Sequence, residues 1–260
     1  MTDLPDPPLE RLLAIMARLR DPLHGCEWDK AQSFATIAPY TIEEAYEVAD
    51  AIARDDLAAL KDELGDLLLQ VVFHARIAEE AGQFDFSAVA AAISAKMEAR
   101  HPHIFGDSTD TDHSREERWE QLKAEERSAK GATSAMDGVA LALPALMRAE
   151  KLQKRAARQG FDWGDTEGPR AKVIEEIAEL AEAGTDAERA EEAGDLLFAT
   201  VNLVRAYGVT PEDALRAANA KFVRRFRGME ALAEARGQVF AALTLDQQEA
   251  LWVDVKASEK

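Results

Sequence analysis

The chain carries the same helical pattern twice, and that repeat constrains its fold more than any other feature. Leu12 through Gly25-Cys26-Glu27-Trp28 is echoed by Leu146 through Gly160-Phe161-Asp162-Trp163. Ile42-Glu43-Glu44-Ala45-Tyr46-Glu47 returns as Ile174-Glu175-Glu176-Ile177-Ala178-Glu179, and Glu63-Leu64-Gly65-Asp66 returns as Glu192-Ala193-Gly194-Asp195. Lys96 and Arg100 match Lys221 and Arg225; Trp119 with Lys123 matches Trp252 with Lys256. The successive offsets are 135, 132, 129, 125 and 133, so the order is kept with only the drift that loop-length changes produce. The expectation is two copies of one supersecondary module.

The periodicity within each copy is helical. Ala, Leu, Glu and Arg dominate and β-branched runs are short. Helices are expected over Leu9–Arg20, Thr41–Ala53 (Thr41 as N-cap with Glu44 closing a capping box), from Asp55 or Asp56 to about Gly82, Phe86–Arg100 and the polar stretch Ser114–Lys130. The second set is expected over Ala145–Arg158, Pro169–Ala183, Asp186–Tyr207, Pro211 to about Arg236, and Leu245–Lys256. Gly131, Gly138 and Pro144 punctuate the stretch between the sets. The reading is an all-α fold with an N-terminal helical-bundle module over 1–130, a connection over 131–143 and a C-terminal module over 144–260.

Charge narrows the function. Lys plus Arg number 31 against 49 Asp plus Glu, a formal net charge of −18, which argues against a nucleic-acid surface. No stretch approaches the roughly 20 apolar residues of a membrane span. Residues 1–8 lack the pattern of a signal peptide, and the single Cys26 cannot form an internal disulfide. These features fit a cytoplasmic protein. Acidic clusters also suit divalent cations, so the placement of the acids matters.

Glu44 and Glu47 share a helix face, as do Glu63 and Asp66 on the next helix; the second copy repeats this with Glu176, Glu179, Glu192 and Asp195. Antiparallel pairing of each two helices lets four carboxylates converge. Their mutual repulsion raises their pKa values, and a divalent cation removes that penalty. All-oxygen ligands favour Mg²⁺, with Mn²⁺ as a substitute, over Zn²⁺. About nine acidic pairs at this spacing are expected by chance in so acidic a chain, and solvated faces are their usual home. The context is rarer: Leu67, Leu68, Leu69, Val71, Val72 and Phe73 follow one pair, and Leu196, Leu197, Phe198 and Val201 follow the other. Acids on so apolar a helix face a cleft or an interior. Downstream, Lys221, Arg224 and Arg225 lie within about one turn, and Lys96 and Arg100 are their counterparts. Cations beside a carboxylate–metal centre suit a polyphosphate, while surface salt bridging is their ordinary role. Trp119 and Trp252 either stack on a base or pack on the bundle. His24, His74, His101, His103 and His113 read as structural or surface residues.

These residues resemble the MazG family of nucleoside triphosphate pyrophosphohydrolases, in its long, two-module form, over about Leu9 to Lys256. The family's superfamily pattern is ExxE on one helix and ExxD on the next. Gly25-Cys26-Glu27-Trp28-Asp29-Lys30, Arg100-His101-Pro102-His103-Ile104-Phe105-Gly106-Asp107, Ser134-Ala135-Met136-Asp137-Gly138-Val139 and Gly160-Phe161-Asp162-Trp163 are further family-like stretches. Glu27 departs from the pattern, where the family commonly has Pro.

The resemblance implies Mg²⁺-dependent hydrolysis of NTPs and dNTPs to the monophosphate and pyrophosphate, in a homodimer that cleans the nucleotide pool. It implies Glu176, Glu179, Glu192 and Asp195 as metal ligands, and Glu44, Glu47, Glu63 and Asp66 as a second candidate set. Lys172, Val173, Ile174, Glu175 and Glu176 would lie along the substrate with Asp195. Lys221, Arg225 and Arg224 would hold phosphates, Trp252 would contact the nucleotide, and Lys256 would add a cation. Glu175 is the candidate general base. The second module is favoured as catalytic because Asn202, Asn219 and Arg224 replace Phe73, Ser94 and Ala99 of the first. The alternatives are a relative with one preferred nucleotide, such as a dUTPase-like hydrolase, and a helical interaction module without catalysis.

Overall fold

The computed structural model describes residues 4–106, 122, 124, 125 and 131–259. Among them every regular element is helical, and no helix is long and apolar enough to cross a membrane. The chain divides into two compact units, Met1–Leu122 and Lys123–Lys260.

The first unit contains α1 (Pro8–Leu19), α2 (Glu27–Ala31), α3 (Phe34–Ala53), α4 (Leu57–Glu80), α5 (Phe86–Arg100) and α6 (Pro102–Phe105). Its backbone is the α3–α4 hairpin, turned by residues 54–56. Asp55 takes φ 54° there, and the Asp56 side chain accepts the Ala59 N–H at 3.0 Å to cap α4. Met16, Ile37, Val72, Phe73 and Ile77 form the core, joining α1 to both arms of the hairpin. Arg20 is buried after α1, where its guanidinium holds Glu80 at 2.7 Å and reaches the carbonyls of Asp29 and Gln32.

Thr41 does not cap α3. The helix starts seven residues earlier, where Ser33 and Thr36 form the reciprocal capping box. Pro39 lies inside it and forfeits a single amide bond, which the core contact of Ile37 outweighs. Thr41 instead bonds His74 Nε2 at 3.0 Å. Glu27, the departure from the family pattern, is the first residue of α2, a position that favours Pro and acids alike.

The second unit contains α7 (Ala145–Arg158), α8 (Glu167–Glu182), α9 (Asp186–Ala206), α10 (Pro211–Ala235) and α11 (Leu245–Ser258), with a short 3₁₀ turn at Phe240–Ala242. The α8–α9 hairpin repeats α3–α4, and its second arm is started by a Thr185–Glu188 capping box. Met229, Ala233 and Leu251 lock α10 to α11, with Phe240 and Trp252 against them.

Residues 131–143, expected as a connection, fold onto this unit. Asp137 accepts the N–H groups of Thr133 and Ser134 at 2.8 and 2.9 Å, Arg155 donates to the carbonyls of Ala135 and Asp137, and Val139 is buried. The helix expected over 114–130 lies outside the described residues apart from 122, 124 and 125, which are helical. Trp119, Lys123 and His113 also lie outside them.

Candidate metal and nucleotide site

Glu176 and Glu179 lie three positions apart on α8, as do Glu192 and Asp195 on α9, and the hairpin turns both pairs toward each other. Glu176, Glu179 and Glu192 place carboxylate oxygens within 4.8 Å of one another. Glu44, Glu63 and Asp66 do the same in the first module. The fourth acid of each expected quartet lies outside these groupings. Glu47 is exposed on α3, whereas Asp195 borders a cavity that it shares with Glu176.

The crowding acts on proton affinity. Desolvation, then the charge of Glu176, pushes the Glu179 carboxyl above its usual range. Desolvation, then Glu179, Glu176 and Asp195, does the same to Glu192. Glu44 and Glu63 are raised in the first module by desolvation and by their neighbouring acids.

Glu176 is 3% exposed. Lys172, one turn earlier on α8, holds its Oε1 at 2.6 Å and Glu175 at 2.8 Å. Hydrogen bonds to Glu175 and then Glu176 carry the Lys172 ammonium above its ordinary range. Glu176 Oε2 is buried with no protein partner. A buried carboxylate oxygen left over among raised carboxyls fits a divalent cation, and the all-oxygen donor set fits a hard one.

Beside the acids, α7, α8 and α9 border an open cavity of about 550 Å³. Gln153, Trp163, Lys172, Glu176, Asp195 and Asn202 all reach its wall. Asn202 is buried, and its Oδ1 accepts Arg205 Nε at 3.0 Å and Nη2 at 2.6 Å; Arg205 is fixed in turn by Asp162 at 2.9 Å.

The chain matches the MazG nucleotide pyrophosphohydrolase domain over residues 32–105 and the phosphoribosyl-ATP pyrophosphohydrolase domain over 143–222. It is 55% identical over 258 residues to a nucleoside triphosphate pyrophosphohydrolase of Escherichia coli, covering 96% of this chain and 98% of the relative. The chain belongs to the MazG family. A nucleoside triphosphate pyrophosphohydrolase/pyrophosphatase MazG of Thermotoga maritima is 44% identical over 251 residues, covering 96% of each chain. The uncharacterized protein YabN of Bacillus subtilis is 40% identical over 252 residues, 95% of this chain and 51% of its own length. The chain spans nearly the full length of the first two of these relatives.

The remaining MazG-like residues divide. Lys221, Arg224, Arg225, Trp252 and Lys256 stand on α10 and α11, and none of them borders the cavity. Arg225 lies 5.4 Å over the Trp252 ring and bonds Glu259 Oε2 at 2.7 and 2.9 Å; Arg224 stands 3.6 Å from the same carboxylate. Trp252 also packs on Phe222, at 5.8 Å. Lys221 and Lys256 are exposed. Val173 is half-buried, and Ile174 is exposed.

Of the three polar replacements, Asn202 reaches the cavity, while Asn219 is exposed elsewhere on α10. Gln153 and Trp163 were not singled out as site residues. Gln153 had a readable signal, since it interrupts the apolar stripe Leu146, Ala149, Ala156 at helical spacing. Among the described residues, no histidine joins either acid grouping. Desolvation lowers His74, which stacks on Phe34 at 5.8 Å.

Proposed function

We propose that the second module carries the pyrophosphohydrolase activity. It converts NTPs and dNTPs to the monophosphate and pyrophosphate with Mg²⁺, accepts several bases, and serves nucleotide-pool housecleaning in the cytoplasm. The observation that carries this reading is Glu176, which has a buried unpartnered oxygen, belongs to the acid grouping and walls the cavity.

Glu176, Glu179, Glu192 and Asp195 would hold the ion. When bound there, Mg²⁺ supplies Lewis acidity at the α-phosphate and offsets the repulsion among the carboxylates. Water attacks the α-phosphorus in line, the bond to the α–β bridging oxygen breaks, and pyrophosphate leaves with the bonding electrons. Glu175 accepts the proton of that water, and Lys172, bonded to both Glu175 and Glu176, sets their positions. Lys221, Arg225 and Arg224 hold the outgoing phosphates, Trp252 contacts the nucleotide and Lys256 adds charge. Val173 and Ile174 complete the α8 edge along the substrate.

Chromatography of ATP, dGTP, dTTP and dUTP incubations, with and without Mg²⁺, tests the reaction. Monophosphate plus pyrophosphate only with metal is expected; diphosphate plus phosphate refutes the bond assignment. An inactive Glu175→Gln that still binds Mg²⁺ is expected, and full activity removes Glu175 from the chemistry.

The assembly in this proposal is a homodimer. Ile174, Ile177 and Leu197 are exposed on the helices that carry the acids, as large apolar faces needing a partner are. Light scattering should give twice the 28.5 kDa chain mass.

A further inference from the structure

Residues 159–166 join α7 to α8, and an arginine from α9 ties this loop down. The loop turns at two left-handed glycines, Gly160 at φ 85° and Gly164 at φ 74°, with Asp162 and Trp163 between them. Arg205 stands near the end of α9, 43 residues beyond Asp162 in the chain. Its Nη2 lies 2.9 Å from both oxygens of Asp162 and 2.6 Å from Asn202 Oδ1, and its Nε donates to the same Asn202 oxygen at 3.0 Å. The Arg205 side chain is 14% exposed and that of Asp162 28%, so the pair is shielded from much of the solvent that weakens surface salt bridges. Asp162 Oδ1 also accepts the Trp163 N–H at 3.0 Å. One carboxylate thus shapes the turn and receives the arginine. Phe161, Trp163, Asn202 and Arg205 all border the cavity.

The first module spends the same arginine differently. The repeat register puts Arg76 at the position of Arg205, Glu27 at that of Asp162, Tyr40 at that of Lys172 and Phe73 at that of Asn202. Arg76 bonds within its own helix, to Glu79 at 3.0 Å and Glu80 at 2.9 Å, three and four residues on. In the second module those two positions are Gly208 and Val209, so no acid one turn further competes for Arg205. Glu27, for its part, pairs with Lys30 at 2.8 Å. Losing the two acids after the arginine releases it to reach the loop.

We propose that Arg205 is a positioning residue of the second module: it keeps the 159–166 loop in place as a wall of the cavity by holding Asp162, and it sets the Asn202 side chain by holding Oδ1. The proposal rests on the pyrophosphohydrolase reading for its consequence, which falls on substrate capture rather than on bond cleavage. Asp195 lies ten residues back along α9, about 15 Å away, so the tether can be cut without disturbing the acids. A loop pinned before the ligand arrives removes an ordering cost that binding would otherwise bear.

The test measures KM and kcat for ATP, and dissociation constants for Mg²⁺ alone and for α,β-methylene-ATP with Mg²⁺. Asp162→Asn and Arg205→Gln should each raise KM and the analogue's dissociation constant about five- to tenfold, with kcat and Mg²⁺ affinity within about twofold. The double variant should match Arg205→Gln, because Asp162 has nothing left to lose once the arginine is gone. Hydrogen exchange over 159–166 should quicken in all three. Arg76→Gln is the control from the other copy, and it should lower the unfolding temperature and leave KM alone. Additive effects, or losses of kcat and Mg²⁺ affinity that keep pace with KM, mark a general loosening of the module and overturn the assignment. If Arg205→Gln misfolds, Asp162→Asn with unchanged KM and analogue binding overturns it alone. An analogue that binds the parent and is weakened by both variants, while no NTP is turned over, refutes the reaction and leaves the tether standing.

Discussion

The two modules share a hairpin and a set of acids, and they use the space beside those acids in opposite ways. In the first, Trp28, Tyr40 and Phe73 close on one another, and Arg20 lies 5.3 Å over the Phe73 ring while bonding Glu80. In the second, the same positions hold Trp163, Lys172 and Asn202 around an open cavity. A duplicated carboxylate motif thus says where a cation can sit in both copies. What can sit next to the cation depends on a few side chains outside the motif.

The comparison breaks most visibly at the acids. Glu176→Ala should lower kcat/KM by about 10²–10³-fold, whereas Glu44→Ala should stay within about threefold; equal losses in steady-state assays would make the modules equivalent. Stability should show the reverse order. Phe73 is 4% exposed in the first core, so Phe73→Ala should cost about 3–5 kcal/mol in urea unfolding. Asn202→Ala should cost about 1 kcal/mol, because Arg205 retains Asp162.

A smaller effect is expected at Glu259. The Arg225 hydrogen bonds hold this carboxyl below its usual range, so under the proposed function it would compete with phosphate for Arg225. Glu259→Gln should lower KM by about two- to fivefold; an unchanged KM would detach Arg225 from substrate.

The smallest effect concerns pH. Carboxyls raised in the folded state, such as Glu179 and Glu192, contribute stability that is present while they are protonated and is lost as pH rises through their folded pKa. Mg²⁺ should therefore raise the melting temperature more at about pH 7.5 than at about pH 5. An equal shift at both would place the ion elsewhere.

Features carried by local patterns were legible in the sequence, namely the repeat, the paired acids and most of the helices among the described residues. Phe86–Arg100 and Ala145–Arg158 follow directly from periodicity and punctuation. The start of α3 was not, because Pro39 looks like a barrier until Ile37 is seen in the core. The cavity was legible only in part. Asn202 stood out against Phe73 by comparing the copies, but the closeness of Gly168 to the Trp163 ring, which leaves no room for a Cβ, is a tertiary contact, and no spacing rule reports that. The apolar neighbours pointed to the acids of α4 and α9, whereas the buried carboxylate is Glu176 on α8, and its ion pair with Lys172 depends on rotamers.

The Asp137 turn and the Arg155 anchor change where this chain can be divided. Met136 walls the cavity, so a fragment beginning at Pro144 would carry the acids and lose part of the pocket. It would also remove two carbonyl acceptors from the Arg155 guanidinium. The natural excision point for the second module lies ahead of residue 131, and the thirteen residues from there to 143 travel with the pocket they help to build.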